Sequence, residues 1–242
     1  MKVIAHRGAS AVRPENTLAA FREAARVGAD YIELDLRFSR DREVIVFHDR
    51  LLDRTSDGSG PVIARNLSEL KELDAGSWFS TDYSNEKIPT LSETIQTLRP
   101  TSLDLYIEIK IDKGGEDLRT NLVKKTLGIL EEENFLSRVF IASFDSGVIS
   151  IARDILPSIR TGLIFHRDPV WEECEKSNYR NIDVLCSRWN IITADRVKKA
   201  LAAGRKVFAW TIDRREELEK ILPLGVNAVA GNNPGWLLKE LR

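Results

Sequence analysis

The sequence predicts an α/β protein of the (β/α)₈ TIM-barrel type, and three observations carry that prediction. Short apolar strand-like runs alternate with helix-like stretches, a rhythm that gives a parallel sheet with helices packed outside it. Eight such runs fit within 242 residues, a length at which α/β barrels close as single domains. No Gly-x-Gly-x-x-Gly follows the first strand, which argues against the doubly wound alternative.

The first run, Val3-Ile4-Ala5, leads into a helix over 16–27 and a strand over 31–36. In that strand Glu33 and Asp35 alternate with Ile32, Leu34 and Leu36. Side chains two apart share a face, so two carboxylates project together from an otherwise apolar element. The next strand, over 44–48, follows too closely for a crossover helix, which needs roughly a dozen residues. It returns as a hairpin through Ser39-Arg40-Asp41-Arg42, and a turn centred on Asp41-Arg42 sets residue 48 opposite residue 35.

From about 49 to 90 the rhythm lapses into an insertion after the second barrel strand, so that residues 1–242 read as one barrel domain with this addition. The turn Asp57-Gly58-Ser59-Gly60-Pro61 and a helix over 67–73 mark it. Its place over the strand C-termini is where barrel active sites lie. A helix over 91–98 precedes a strand over 105–109, where Glu108 and Lys110 repeat the alternating charge in Tyr106-Ile107-Glu108-Ile109-Lys110-Ile111. Strands are then expected over 139–143, 161–165, 184–187, 207–211 and 228–230. Helices are expected over 117–133, 145–156, 194–203 and 216–222.

Composition narrows the function. With a net charge of -1 and no basic stretch, a nucleic-acid partner is not expected. The run Glu131-Glu132-Glu133 reads as a solvated helix face. Cys174 and Cys186 have no zinc-site spacing and no partner framework, so they read as packing residues in a reducing compartment. No basic-then-apolar leader opens the chain, and no apolar run approaches the roughly 18 residues of a membrane span. The expectation is a cytoplasmic protein without an integral membrane segment, and no pattern specifies its oligomeric state.

Charges set into buried strands normally pair, bind a metal or face a solvated site. Glu33, Asp35 and Glu108 form an all-oxygen set that suits Mg²⁺, Ca²⁺ or Mn²⁺ better than zinc. Arg7 and Lys110 suit a phosphate oxygen that gains charge at a transition state. His6 and His48 supply two groups that titrate near neutrality, one to remove a proton and one to deliver it. Phosphodiester cleavage needs all three functions. Singly, each motif has a structural reading; four of them near matching strand ends do not share one. His166, after a strand, reads as a loop residue, and Trp210 is either core filling or a pocket lining.

These residues resemble the glycerophosphodiester phosphodiesterases. The resemblance runs through His6-Arg7-Gly8, Pro14-Glu15-Asn16-Thr17, Glu33-Leu34-Asp35, Val46-Phe47-His48-Asp49 and Glu108-Ile109-Lys110. It extends to Leu52-Asp53-Arg54-Thr55, Asp74-Ala75-Gly76-Ser77-Trp78-Phe79, Ile88-Pro89-Thr90-Leu91 and Ser143-Phe144-Asp145, and so spans nearly the whole chain. It implies a TIM barrel that hydrolyses glycerophosphodiesters to sn-glycerol 3-phosphate and an alcohol with one divalent cation. On this chain it makes His6 and His48 the acid/base pair and Glu33, Asp35 and Glu108 the metal ligands. Arg7 and Lys110 would hold the phosphate, Glu15 and Asn16 would support the substrate site at the first strand–helix turn, and Trp210 would line the glycerol side. Attack by the glycerol 2-hydroxyl through a cyclic phosphate, and direct attack by water, both fit these residues.

The last strand departs from the family pattern of Asp-Gly followed by Thr-Asp-x-Pro. Here it reads Val226-Asn227-Ala228-Val229-Ala230-Gly231-Asn232-Asn233-Pro234, with Asn227 and Asn232 where aspartates are usual. The expected consequence is a changed pocket rim, and so substrate preference, more than changed catalysis. Three other readings share the scaffold. A lysophospholipase D or phospholipase C-like enzyme would need an apolar face, for which Trp78, Phe79 and Tyr83 are the available cluster, although core packing is their simpler role. A non-catalytic glycerophosphodiester-binding protein would draw on the altered last strand. A Mg²⁺-dependent lyase or aldolase would have less use for two histidines and two cations around one phosphate.

Overall fold

The computed structural model describes residues 1–111, 115–175 and 182–241. Along the chain the elements are β1 (Lys2–His6), α1 (Leu18–Val27), β2 (Tyr31–Phe38), β3 (Val44–Val46), α2 (Leu67–Glu72) and α3 (Leu91–Leu98). There follow β4 (Asp104–Ile109), α4 (Glu116–Glu132), β5 (Val139–Ser143), α5 (Ser146–Ile155), β6 (Arg160–Phe165) and α6 (Pro169–Glu175). The chain ends with β7 (Val184–Arg188), α7 (Ala194–Ala202), β8 (Lys206–Trp210), α8 (Arg215–Ile221), β9 (Ala228–Gly231) and α9 (Pro234–Glu240). Strands β1, β2 and β4 to β9 pair in parallel in sequence order, and β9 pairs back onto β1. The result is the (β/α)₈ barrel that the alternation predicts.

The two faces of each strand are filled differently. Ile32, Leu34 and Leu36 of β2, with Leu105, Ile107 and Ile109 of β4, pack in a cluster that includes Phe21, Ile95 and Leu122 of the surrounding helices. Tyr31, Tyr106, Phe140 and Phe208 point the other way and fill the barrel interior with Ile4, Ala142, Ile164, Val184 and Cys186. Their rings contact one another with centroids 5.6 to 6.2 Å apart, in tilted and edge-on pairs that aromatic quadrupoles favour. Glu33, Asp35, Glu108 and Lys110 belong to this inward set, one or two layers nearer the strand C-termini. The barrel floor is therefore apolar and its mouth charged.

Gly162 of β6 makes room for the floor. A Cβ there would lie 2.2 Å from the Tyr106 hydroxyl oxygen and 2.9 Å from its ring carbon Cζ. Overpacking of this kind costs about 1–3 kcal/mol, so Gly162→Ala is expected to lower the thermal midpoint by several degrees. Calorimetry showing an unchanged midpoint would mean that the floor yields freely.

The hairpin register differs by one residue from the expected one. Leu36 pairs with Val46, Arg37 with Ile45 and Phe38 with Val44, and the Phe47 N–H donates to the Asp35 carbonyl at 2.9 Å. Asp35 thus stands opposite residue 47, not 48. The cause lies in the loop: the Ser39 N–H donates to the Glu43 carbonyl, leaving three residues between them, with Arg42 at φ 63°. That odd-numbered turn centres on Asp41 alone. The pairing ends with Phe47, and His48 still reaches the barrel mouth, where it lines the cavity. Phe47 turns into an apolar cluster with Ile45, Leu52, Val62, Leu70 and Ile88, and Arg37 Nε donates to the His48 carbonyl at 2.8 Å.

No helix was expected at α6 or α9, two seven-residue helices that each open on a proline. Trp78, Phe79 and Tyr83 stack edge-on, with Trp78 exposed and Arg13 over the Tyr83 ring. They form a surface stack and do not join the apolar cluster of residues 45–88. Cys174 and Cys186 are free and buried.

Candidate active site

The residues singled out in the sequence converge at the C-terminal end of the barrel. His6 is the last residue of β1 and stands level with Glu33 of β2; Asp35 stands level with Glu108 of β4. The chain then turns sharply, with Arg7 and Asn16 both in the left-handed region at φ 56°. Such φ values are uncommon outside glycine and mark a conformation held by its surroundings. Here the holding contacts are visible. The Arg7 backbone N–H donates to Glu33 Oε2 at 2.9 Å, and its guanidinium donates to Glu15 at 2.8 Å and lies 3.4 Å from Asp35 Oδ2. Asn16 Nδ2 donates to Asp35 Oδ2 at 2.8 Å.

Glu33, Asp35 and Glu108 are buried, and each offers an oxygen within 4.8 Å of the others. Lys110 Nζ lies 2.6 Å from Glu108 Oε1 and 3.1 Å from Asp35 Oδ1. Burial pushes the Glu33 carboxyl well above its usual range, and the Asp35 and Glu108 charges push it further. Burial likewise raises Glu108 to about 7 despite Lys110. Burial acts upward on Asp35 too, but Lys110, Arg7 and His48 outweigh it and hold that carboxyl below the ordinary range. Asp35 Oδ1 accepts no hydrogen bond although it is buried. Three buried carboxylates whose oxygens converge, with Arg7 and Lys110 set against their three charges, fit a hard divalent cation.

The two imidazoles are held by different partners. His6 Nδ1 lies 2.7 Å from Asn232 Oδ1, and its Nε2 lies 3.9 Å from Glu33 Oε2. Burial and the Arg7 charge push His6 down to about 4, so it is neutral at pH 7. His48 Nδ1 lies 2.5 Å from Asp49 Oδ1. Burial lowers His48 as well, with Asp35 and Asp49 pulling against it.

Arg54, from the segment after β3, joins the two sides. It donates to Asp49 Oδ2 at 2.6 Å and to both Glu15 oxygens, at 2.8 and 2.7 Å. A continuous chain therefore runs His48–Asp49–Arg54–Glu15–Arg7. Arg54 and Asp49 stand in the motifs quoted above without a role legible there; a pairing across 39 residues leaves no local periodic signal. Asn232 was likewise read as rim, whereas it touches His6.

Among the residues lining the cavity over these groups are His6, Arg7, Glu33, His48, Glu108, Lys110, Phe144 and Trp210; its volume is about 180 Å³. Trp210 is thus a lining residue, its indole N–H donating to the Cys186 carbonyl at 3.1 Å. Phe144, 43% exposed, packs edge-on against Trp210 and lies 5.8 Å from Lys110 Nζ. A second cavity of about 480 Å³ shares His6 and Arg7 and is bounded by Ser10, Glu15, Asp213, Asn232 and Asn233. Among the described residues no helix is long and apolar enough to cross a membrane.

Known proteins place this arrangement. Residues 6–236 match the glycerophosphoryl diester phosphodiesterase family. A glycerophosphodiester phosphodiesterase of Caldanaerobacter subterraneus subsp. tengcongensis is 35% identical over 99% of this chain and 97% of its own. Glycerophosphodiester phosphodiesterase 1 of Bos taurus is 33% identical over 90% of this chain and 73% of its own. The solved structure of an Oleispira antarctica phosphodiesterase, in complex with the product sn-glycerol-3-phosphate, superposes with a TM-score of 0.90 at 30% identity, covering 100% of this chain and 96% of that one. This chain belongs to the glycerophosphoryl diester phosphodiesterase family and is a phosphodiesterase of that type.

Proposed function

We propose that this protein hydrolyses small glycerophosphodiesters to sn-glycerol 3-phosphate and an alcohol, with His6 and His48 as its acid/base pair. The observation that carries this reading is the sharing of one cavity by both imidazoles, both cations and two of the three carboxylates, Glu33 and Glu108. Glu33, Asp35 and Glu108 would hold one divalent cation, Mg²⁺ or Ca²⁺ with Mn²⁺ as an alternative, which supplies Lewis-acid polarisation of a phosphoryl oxygen. Arg7 and Lys110 draw the phosphate in and offset the charge that builds on its oxygens. One imidazole takes a proton from the attacking oxygen, of water or of the glycerol 2-hydroxyl, as that oxygen bonds to phosphorus. The other gives a proton to the alcohol oxygen as the ester P–O bond breaks; where the 2-hydroxyl attacked, water then opens the cyclic phosphate to sn-glycerol 3-phosphate. The Arg54 bridge keeps His48 and Arg7 in fixed relation through Asp49 and Glu15. Phe144 and Trp210 give one wall of the cavity an apolar surface for a carbon skeleton.

The test is a coupled assay for sn-glycerol 3-phosphate released from glycerophosphocholine, with Mg²⁺, with Ca²⁺ and with chelator. Cation-dependent release is expected. Folded protein that releases no glycerol phosphate from several soluble diesters, or that cleaves lysophosphatidylcholine micelles in their place, would overturn the assignment.

A further inference from the structure

We propose that Asn232, anchored by Asp213, locks His6 as its Nδ1–H tautomer and so aims a bare Nε2 into the active site. Asn232 is then a positioning residue for the proton transfer proposed above, and its role rests on that reading. The inference follows from donor and acceptor accounting. Asp213 receives two hydrogen bonds from Asn232: the backbone N–H reaches Oδ1 at 2.7 Å and side-chain Nδ2 reaches Oδ2 at 2.6 Å. A carboxylate only accepts, so the amide edge facing it must be the NH₂ group. The reverse orientation would set the amide oxygen against a carboxylate oxygen at that distance, two acceptors with no proton between them.

The amide oxygen is consequently the group turned toward His6, 2.7 Å from Nδ1. A neutral imidazole has one N–H and one lone pair, and an acceptor at Nδ1 assigns the proton there. Ser10 is compatible with this polarity but does not decide it, since a hydroxyl can both donate and accept. Its hydroxyl lies 2.7 Å from the His6 carbonyl and 3.0 Å from Asn232 Oδ1, with its single proton free to serve either acceptor. Nε2, 3.9 Å from Glu33 Oε2, is left with a lone pair toward the acidic set and the cavity.

Close packing holds the arrangement in place. A Cβ on Gly231 would lie 2.3 Å from the Ile212 carbonyl oxygen, so the end of β9 and the segment carrying Asp213 approach as closely as backbones allow. A side chain at position 231 would push Asn232 and Asp213 apart. The altered last strand is therefore a built partner for His6, and its glycine and its asparagine serve one contact.

The tautomer is readable without substrate. In protein labelled with ¹⁵N at histidine, long-range ¹H–¹⁵N correlation at neutral pH, with His6→Gln to identify the signals, should show a protonated Nδ1 and an unprotonated Nε2. An Nε2–H tautomer in the unaltered protein would overturn the proposal. Asp213→Ala frees the amide to turn and should mix the tautomers; a pure Nδ1–H signal there would overturn the anchoring role. Asn232→Asp alone sets two carboxylates face to face, but combined with Asp213→Asn it restores one donor and one acceptor. The double variant should recover the Nδ1–H signal and most of kcat, which a role limited to loop shape does not predict. Asn232→Leu, keeping bulk without an acceptor, should lower kcat by about 10²–10⁴-fold with KM little changed, and wild-type kcat in it would overturn the proposal. A protein showing Nδ1–H but releasing no glycerol phosphate would refute the reaction and leave this assignment standing.

Discussion

Alanine at His6 or at His48 is expected to lower kcat for glycerol phosphate release by about 10²–10⁴-fold, the span that a positioned acid or base contributes. The double variant should fall little further than the worse single one, since groups that act on one proton-transfer sequence are not additive. The two losses should differ in kind. His6 sits at the end of a barrel strand, and when it is removed the Asn232 amide oxygen keeps Ser10 as a donor, so little besides the imidazole is lost. His48 hangs on Asp49, which Arg54 ties to Glu15 and Arg7; removing it also leaves Asp49 with one partner fewer. KM should therefore rise more for His48→Ala. The pH–rate profile should be bell-shaped. Burial and Arg7 disfavour the His6 imidazolium, so the neutral ring persists as pH falls and its limb lies on the acid side of the ordinary histidine value. Steady-state kinetics across pH 4 to 9 on the single variants checks both statements. Undiminished turnover with both histidines replaced would remove acid/base catalysis by this pair.

The barrel and the acidic set were legible because strand periodicity is a short-range property. Alternation within Glu33-Leu34-Asp35 and Glu108-Ile109-Lys110 fixes which side chains share a face, and parallel pairing then sets Asp35 beside Glu108. Contacts that depend on how distant loops close were not legible. The hairpin length gave nearly the right register, but the left-handed Arg42 and the Ser39–Glu43 closure moved it by one residue, which no count of residues reveals. Arg54 joins Asp49 to Glu15 because the segment after β3 folds back over the β1–α1 turn, and nothing in either segment's pattern announces the other. Asn232 is the sharpest case. As a departure from a motif it suggested a changed rim, and only the angle at which β9 ends shows its amide oxygen on His6.

Removing the divalent cation is expected to abolish turnover and also to reverse how stability depends on pH. In the metal-free protein, burial and mutual repulsion raise the Glu33 and Glu108 carboxyls above their unfolded value, near 4.3. Between that value and about 7 for Glu108, the folded state binds more protons than the unfolded state. Stability then decreases as pH rises. The contribution of these protonated acids is fully present below the unfolded value and is lost as pH passes the folded one. Asp35, held low by Lys110 and Arg7, runs the other way; its contribution is fully present above the unfolded value and changes only below it, so it stays constant across this window. A bound cation needs the deprotonated carboxylates, so its affinity rises over the same range. It adds about 2.7 kcal/mol when present at a hundredfold excess over its Kd. Thermal midpoints at pH 5, 6, 7 and 8, with chelator and with Mg²⁺ or Ca²⁺, should therefore diverge: falling without the ion, level or rising with it. Glu33→Gln separates this electrostatic account from simple damage to the fold. It removes one of three crowded charges while leaving an oxygen to accept the Arg7 N–H now bonded to Glu33. The variant should be more stable than the parent in chelator at pH 8, gain little from the ion, and lose its turnover. A destabilised, metal-responsive Glu33→Gln protein would mean that the acidic set is a structural ion-pair network and that the cation acts elsewhere.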